Sequence, residues 1–241
     1  MNQAKTVIVT GASQGIGEAI VKQFLARGHN VVATSRRIAE TNPFASSAQL
    51  AIVQGDIGQA ATAQRVASAA LEKFGRVDVL VNNAGIFMAK PFTDYTAEDF
   101  AALVSTNLSG FLHLTQLAVK QMLKQGDGGS VIGITTSLVS HPIAGLPASV
   151  AMITKGGLDT AMRSLAIEYA GNGIRFNNVA PGIVDTPLHK DNPKDFLRTL
   201  SPMGRIADAS EIADAVLYLS DAKSVTGEVM HVDGGSHAGK W

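Results

Sequence analysis

The 241-residue chain contains no cysteine, which excludes a disulfide framework, a thiol nucleophile and any cysteine-held metal. Aromatic residues make up only 5%, with one tryptophan and three tyrosines, so chemistry that needs a phenol has few places to find one. An excess of one charge is also missing. Twenty basic side chains balance twenty acidic ones, and no net field draws the protein to nucleic acid or an anionic membrane. No run approaches the roughly 18 continuous apolar residues of a membrane span. The opening Met1-Asn2-Gln3-Ala4-Lys5 lacks the apolar stretch and cleavage site of a secretory signal. These absences lead us to expect a cytoplasmic protein that binds neither nucleic acid nor membrane and holds no metal.

What is present is a rhythm. Short β-branched runs at Thr6–Thr10, Val31–Ser35, Ala51–Gln54, Val77–Asn82, Ser130–Thr135, Ile174–Val179 and Val229–Val232 alternate with helical patterns at about 15–27, 60–74, 97–124, 148–170 and 210–220. Apolar strands alternating with helices predict a doubly wound, seven-stranded parallel sheet in a three-layer α/β/α arrangement. At 46% hydrophobic content the chain can fill one such domain, spanning 1–241. The rhythm breaks at about 183–209, which is rich in Pro, Asp and Lys around one short helical piece, Lys194–Leu200. Long irregular segments in compact domains are often lids, and this one is read as a substrate loop.

Thr10-Gly11-Ala12-Ser13-Gln14-Gly15-Ile16-Gly17 follows the first strand and opens a helix, the context in which a glycine pattern points to a nucleotide. Glycine permits a tight turn and close backbone approach, and amides at a helix start attract pyrophosphate. About twenty residues on, NAD sites usually carry an acid for the ribose hydroxyls, whereas arginine suits the 2′-phosphate of NADP. Here the second strand ends Ser35-Arg36-Arg37, with Glu40 past its end, so NADP is expected ahead of NAD.

Three further patterns fall at successive strand ends: Asn82-Asn83-Ala84-Gly85, Pro181-Gly182 and Val232-Asp233-Gly234-Gly235. Together with the glycine loop they resemble the short-chain dehydrogenase/reductase family over nearly the whole chain. The resemblance implies a Rossmann-like fold and an NADP-dependent oxidoreductase acting on a carbonyl or alcohol. It puts Gly11, Ser13, Gln14, Gly15, Ile16 and Gly17 at the pyrophosphate, and Asp56 and Ile57 beside adenine. Asn83, Ala84 and Gly85 would line the adenosine side, and Pro181, Gly182, Ile183 and Thr186 would border the nicotinamide. It also implies a small-molecule substrate and a homotetramer built on the helices at 97–124 and 148–170, with Trp241 docked on a neighbour.

The family's site normally holds an asparagine, a serine, a tyrosine and a lysine. Asn107 matches the asparagine, and Lys155, in Thr154-Lys155-Gly156-Gly157-Leu158, matches the lysine that holds the nicotinamide ribose. The tyrosine belongs one helical turn before that lysine, and Ala151 stands there. Alanine cannot donate a proton. The serine position falls on Thr136 or Ser137, with Ser137 favoured. His141, Ser149 and Thr154 are nearby candidates for a replacement donor, while Tyr95 and Tyr169 sit in other elements. The residues therefore leave two functions open: an oxidoreductase with a substitute acid, or a catalytically weak NADP(H)-binding protein with a structural or redox-sensing role.

Overall fold

The computed structural model describes residues 4–41 and 43–239, so the expected docking of Trp241 lies outside the described residues. Strands β1 (Thr6–Thr10), β2 (Asn30–Ser35), β3 (Leu50–Gln54), β4 (Val79–Asn82), β5 (Gly129–Ile134), β6 (Ile174–Pro181) and β9 (Val229–Val232) form a seven-stranded sheet. Its order is β3-β2-β1-β4-β5-β6-β9, and every neighbouring pair is parallel. All five residues of β1 are buried, as a strand covered on both faces requires. A small second sheet pairs β7 (Val184–Asp185) with β8 (Ala207–Asp208).

Helices α1 (Gly15–Ala26) and α8 (Ala209–Asp221) cover one face. Phe24, Ile20 and Val21 of α1 meet Ile212, Val216 and Leu219 of α8 over the inward side chains of β1, β2 and β4. Helices α3 (Ala60–Phe74), α5 (Gly110–Gln125) and α6 (Ser149–Glu168) cover the other, where Leu114, Met122, Leu158 and Met162 pack around Phe176. Helices α3 and α5 stop where Gly75 and Gly126 turn left-handed at φ +76° and +75°. Capping boxes start α4 (Ala97–Leu103) on Thr96 and Asp99, and α8 on Asp208 and Glu211.

Several boundaries depart from the sequence reading. The helix expected over 97–124 is α4, a π-helical turn at Val104–Ser109 and then α5. Strand β6 runs two residues further than expected, to Pro181, while β4 begins two later, at Val79. The substrate segment carries β7, a 3-10 turn at Pro187–His189, α7 (Lys194–Thr199) and β8 rather than one helical piece alone. A one-turn helix, α2 (Ile38–Thr41), follows β2 and was not anticipated, since four residues show no usable periodicity.

Candidate active site

The order of the sheet reverses between β1 and β4, and such a switch point opens a crevice beyond the carboxyl ends of the strands. The turn from β1 into α1 lies at this crevice. Gly11 and Gly15 hold φ +65° and +58°, conformations that a side chain strains. A Cβ on Gly17 would overlap the Gly11 carbonyl oxygen, and one on Gly11 would lie 2.9 Å from the Ala84 Cα. The N-cap of α1, Gln14, makes no side-chain cap, so the first amides of the helix keep their hydrogen-bonding capacity. Backbone packed this closely at a helix start suits a pyrophosphate.

Neighbouring segments lock the turn in place. The Thr10 hydroxyl accepts from the amides of Asn83 and Ala84 at 3.0 and 2.9 Å, and the Asn83 side-chain amide donates back to the carbonyls of Thr10 and Gly11. Asn83 therefore ties β4 to the glycine turn with its side chain. The Ser35 hydroxyl donates to Ser13 at 2.9 Å, which brings the end of β2 to the same turn. Arg36 and Arg37 follow, exposed and outside every ion pair among the described residues. Asp56 accepts the Gly58 amide, and Ile57 beside it is buried. Beyond β6, Gly182 presses on Asp233, and Thr186 packs against Gly15, so the substrate segment touches the phosphate turn itself.

Asn107 lies in the π turn, whose extra residue per turn swings it inward, and it is 3% exposed. Its amide nitrogen donates to the Ile86 carbonyl at 3.1 Å and to the Thr154 hydroxyl at 2.9 Å, while its oxygen accepts the Ile86 amide. Asn107 thus fastens the loop after Gly85 to α6. The Thr154 hydroxyl donates in turn to the Ala151 carbonyl, so it is fully committed and unsuited to acid work.

Lys155 reaches over this lattice and donates to the Ile134 carbonyl at 2.7 Å. The side chain as a whole is part-buried, but its ammonium is set deep, and burial alone pulls its pKa from 10.5 down to about 8. Among the described residues no carboxylate pairs with it. A Cβ on Gly85 would lie 3.0 Å from the Lys155 Nζ and 3.3 Å from the Asn107 Oδ1, so glycine there lets the backbone lie close to both groups.

At the serine position the two alternatives separate. Thr136 caps the 3-10 turn Ser137–Val139 by accepting from the Leu138 amide. Ser137 is buried at 4% exposure and carries no such capping bond. Its carbonyl accepts the amide of His141, which places that imidazole one turn further along the same loop. Ser149 is exposed at the start of α6.

Ala151 has no solvent exposure and packs with Leu103 and Val150 under Ile86, Phe87, Met88, Tyr95 and Met152. The position is sealed from solvent by these neighbours. Tyr95, distant in sequence, joins this cluster, but its hydroxyl donates to the Met88 carbonyl at 2.6 Å. Tyr169 closes α6 and stacks on Phe176 at the opposite end of the sheet. Sequence reasoning missed His231 and His237, which converge with His141. Among the described residues no group of three His, Cys, Asp or Glu is placed to hold a metal ion, and no helix is long and apolar enough to cross a membrane.

Strand order, glycine turn and buried lysine define a dinucleotide-binding α/β oxidoreductase. Comparison with known proteins places it more narrowly. The family model described as enoyl-(acyl carrier protein) reductase matches residues 11–237. A tropinone reductase homolog of Arabidopsis thaliana is 36% identical over 97% of this chain and 91% of its own length. Among solved structures, ElxO with NADP bound superposes with a TM-score of 0.88 at 29% identity, covering 98% of this chain and all of its own. A 3-ketoacyl-(acyl-carrier-protein) reductase from Brucella melitensis complexed with NADH gives 0.89 at 29% identity, covering 98% and 99%. The chain belongs to the short-chain dehydrogenase/reductase family, whose members act on CH–OH and C=O groups.

Proposed function

We propose that the protein is an NADP-preferring oxidoreductase that interconverts a small-molecule carbonyl and its alcohol without the family's tyrosine. The observation that carries this reading is Lys155. A buried ammonium with one carbonyl partner and, among the described residues, no counter-ion costs stability, and it lies close to the backbone of Gly85. Such a group is explained by a ligand that supplies further acceptors, as ribose hydroxyls would.

When bound, the nicotinamide supplies or removes the hydride. Lys155 holds the ribose, and the Ser137 hydroxyl orients the substrate oxygen. Asn107 keeps Ile86 and Thr154 fixed beside Lys155. Arg36, with Ser35 and Arg37, is positioned after β2 to receive a 2′-phosphate; ElxO is described with NADP bound, which supports that preference. NADH bound to the Brucella melitensis reductase keeps NAD as the lesser alternative. Residues 1–241 act as one domain, whose substrate loop at 183–209 selects the substrate. The protein works in the cytoplasm as a homotetramer, whose contacts would cover Leu112, Ile153 and Ile167, large side chains left 51%, 54% and 80% exposed.

The filled space around Ala151 favours a second reading, in which the protein binds NADP(H) and turns over little. Titration of NADPH and NADH followed by a panel of diketones, quinones and sugars decides between them. Tight NADPH binding with turnover of a panel compound is the expected result. Tight binding with no turnover supports the second reading, and no binding overturns both.

A further inference from the structure

Three of the six histidines meet at one place, although His141 lies far along the chain from the other two. His231, on β9, stacks on His237 with ring centroids 4.0 Å apart and 16° between planes. His141 stands edge-on to both, at 6.3 Å from His231 and 5.9 Å from His237. Asp233, its side chain 1% exposed, accepts from the Nδ1 of His237 at 3.0 Å and from the amides of Gly235 and His237. The carboxylate fixes the ring's tautomer, with the proton on Nδ1.

The surroundings of this trio tie it to the substrate side of the crevice. His141 lies on the loop that carries Ser137. Asp233 packs on Gly182 after β6. Ser236, in the same turn as His237, donates to the Leu200 carbonyl at the end of α7. Loop, strand end and substrate segment thus enclose the cluster on three sides. The nearby alternatives for an acid are spent or unsuitable: Thr154 is hydrogen-bonded twice, and the Tyr95 phenol is committed to Met88.

We infer that His141 is the catalytic acid and base of this enzyme, with Asp233, His237 and His231 as the positioning and proton-supplying groups behind it. The inference rests on the oxidoreductase reading above. In carbonyl reduction, hydride leaves the reduced nicotinamide for the carbonyl carbon and the C=O π pair moves onto oxygen. The N–H bond at His141 Nε2 breaks as the new O–H bond forms, giving alcohol, NADP⁺ and neutral His141. Its Nδ1 stays with the Ser140 hydroxyl at 2.9 Å. A solvent proton passed along His237 recharges the ring, and oxidation runs the same steps backward. The charged and titratable groups around the rings are Asp233 on the terminal turn, Asp159 on α6, and the imidazoles themselves.

The test compares the unaltered protein with His141→Gln and His237→Gln, using NADPH and a vicinal diketone from pH 5.5 to 9. His141 is exposed, so its substitution leaves folding and NADPH affinity intact. Turnover of the unaltered protein should fall with rising pH as imidazole loses its proton. His141→Gln should lose about 100-fold or more in kcat, with a flat profile and unchanged KM. Turnover of His141→Gln equal to the unaltered protein overturns this inference alone, whereas an inactive unaltered protein overturns the reading beneath it. A second readout needs no turnover. With ¹³C-labelled histidine, His237→Gln should move the NMR titration midpoints of His141 and His231 together and leave His29 unmoved; independent titration of the three rings overturns the relay.

Discussion

Replacing Lys155 by methionine separates what the ammonium costs the fold from what it gives the site. Burial lowers its pKa from 10.5 to about 8. At about 1.4 kcal/mol for each tenfold in proton affinity, that is at most about 3.5 kcal/mol against the folded state. Because the unfolded chain holds this proton more tightly, the full cost applies below pH 8 and fades as pH rises from about 8 to 10.5. Lys155→Met removes the cost but strands the Ile134 carbonyl, a penalty of about 1–3 kcal/mol. The two nearly cancel at pH 7, so a single measurement there says little. The informative quantity is how the stability difference between the two proteins changes with pH. Between pH 7 and 10 the unaltered protein should gain roughly 2–3 kcal/mol on the variant, or about 5–10 °C in thermal midpoint for a chain of this size. Thermal unfolding of cofactor-free protein at fixed concentration measures it. Parallel pH curves for the two proteins would refute the claim that this ammonium is buried without a counter-ion.

Gly17→Ala puts a methyl group into the Gly11 carbonyl, and NADPH binding followed by fluorescence should weaken by about 100-fold or more, since close backbone approach to pyrophosphate is lost. Arg36→Glu should weaken NADPH by about 10- to 100-fold, the worth of one or two charge-assisted bonds, while NADH holds or improves; equal losses for both cofactors would contradict a 2′-phosphate contact. Ala151→Tyr forces a phenol into a filled cluster and should cost about 1–3 kcal/mol by urea unfolding, an unchanged midpoint being the contrary result. Thr154→Val removes a fully buried hydroxyl that serves both Asn107 and the Ala151 carbonyl, and should cost a similar 1–3 kcal/mol.

The sheet was legible because its strands are short, apolar and spaced by helices, so periodicity alone supplied all seven. Topology followed from the strand-to-helix alternation. The glycine turn, Asn83 and Lys155 could be placed because each sits where a strand ends or a helix passes the crevice. Other features left no local trace. The π turn at Val104–Ser109 differs from an ordinary helix by one residue's pitch, which no hydrophobic pattern records. Elements of two to four residues, such as β7, β8 and α2, carry too little periodicity to be read. His231 and His237 meet His141 only through the pairing of β9 with β6 and the folding back of the last turn. That Ala151 is sealed from solvent depends on Leu103, Met88 and Tyr95, which reach it from other segments.

The π turn sets regularity against activity. Deleting one residue between Val104 and Ser109 would restore an even helical pitch from α4 into α5, yet it would rotate everything on one side by about 100° relative to the other. Asn107 would then turn away from Ile86 and Thr154, and the loop after Gly85 would lose its tether to α6. A tidier helix here is an uncoupled one. The irregularity works as a phase shim, setting the angular register between α4 and α5 and with it the direction in which Asn107 faces α6.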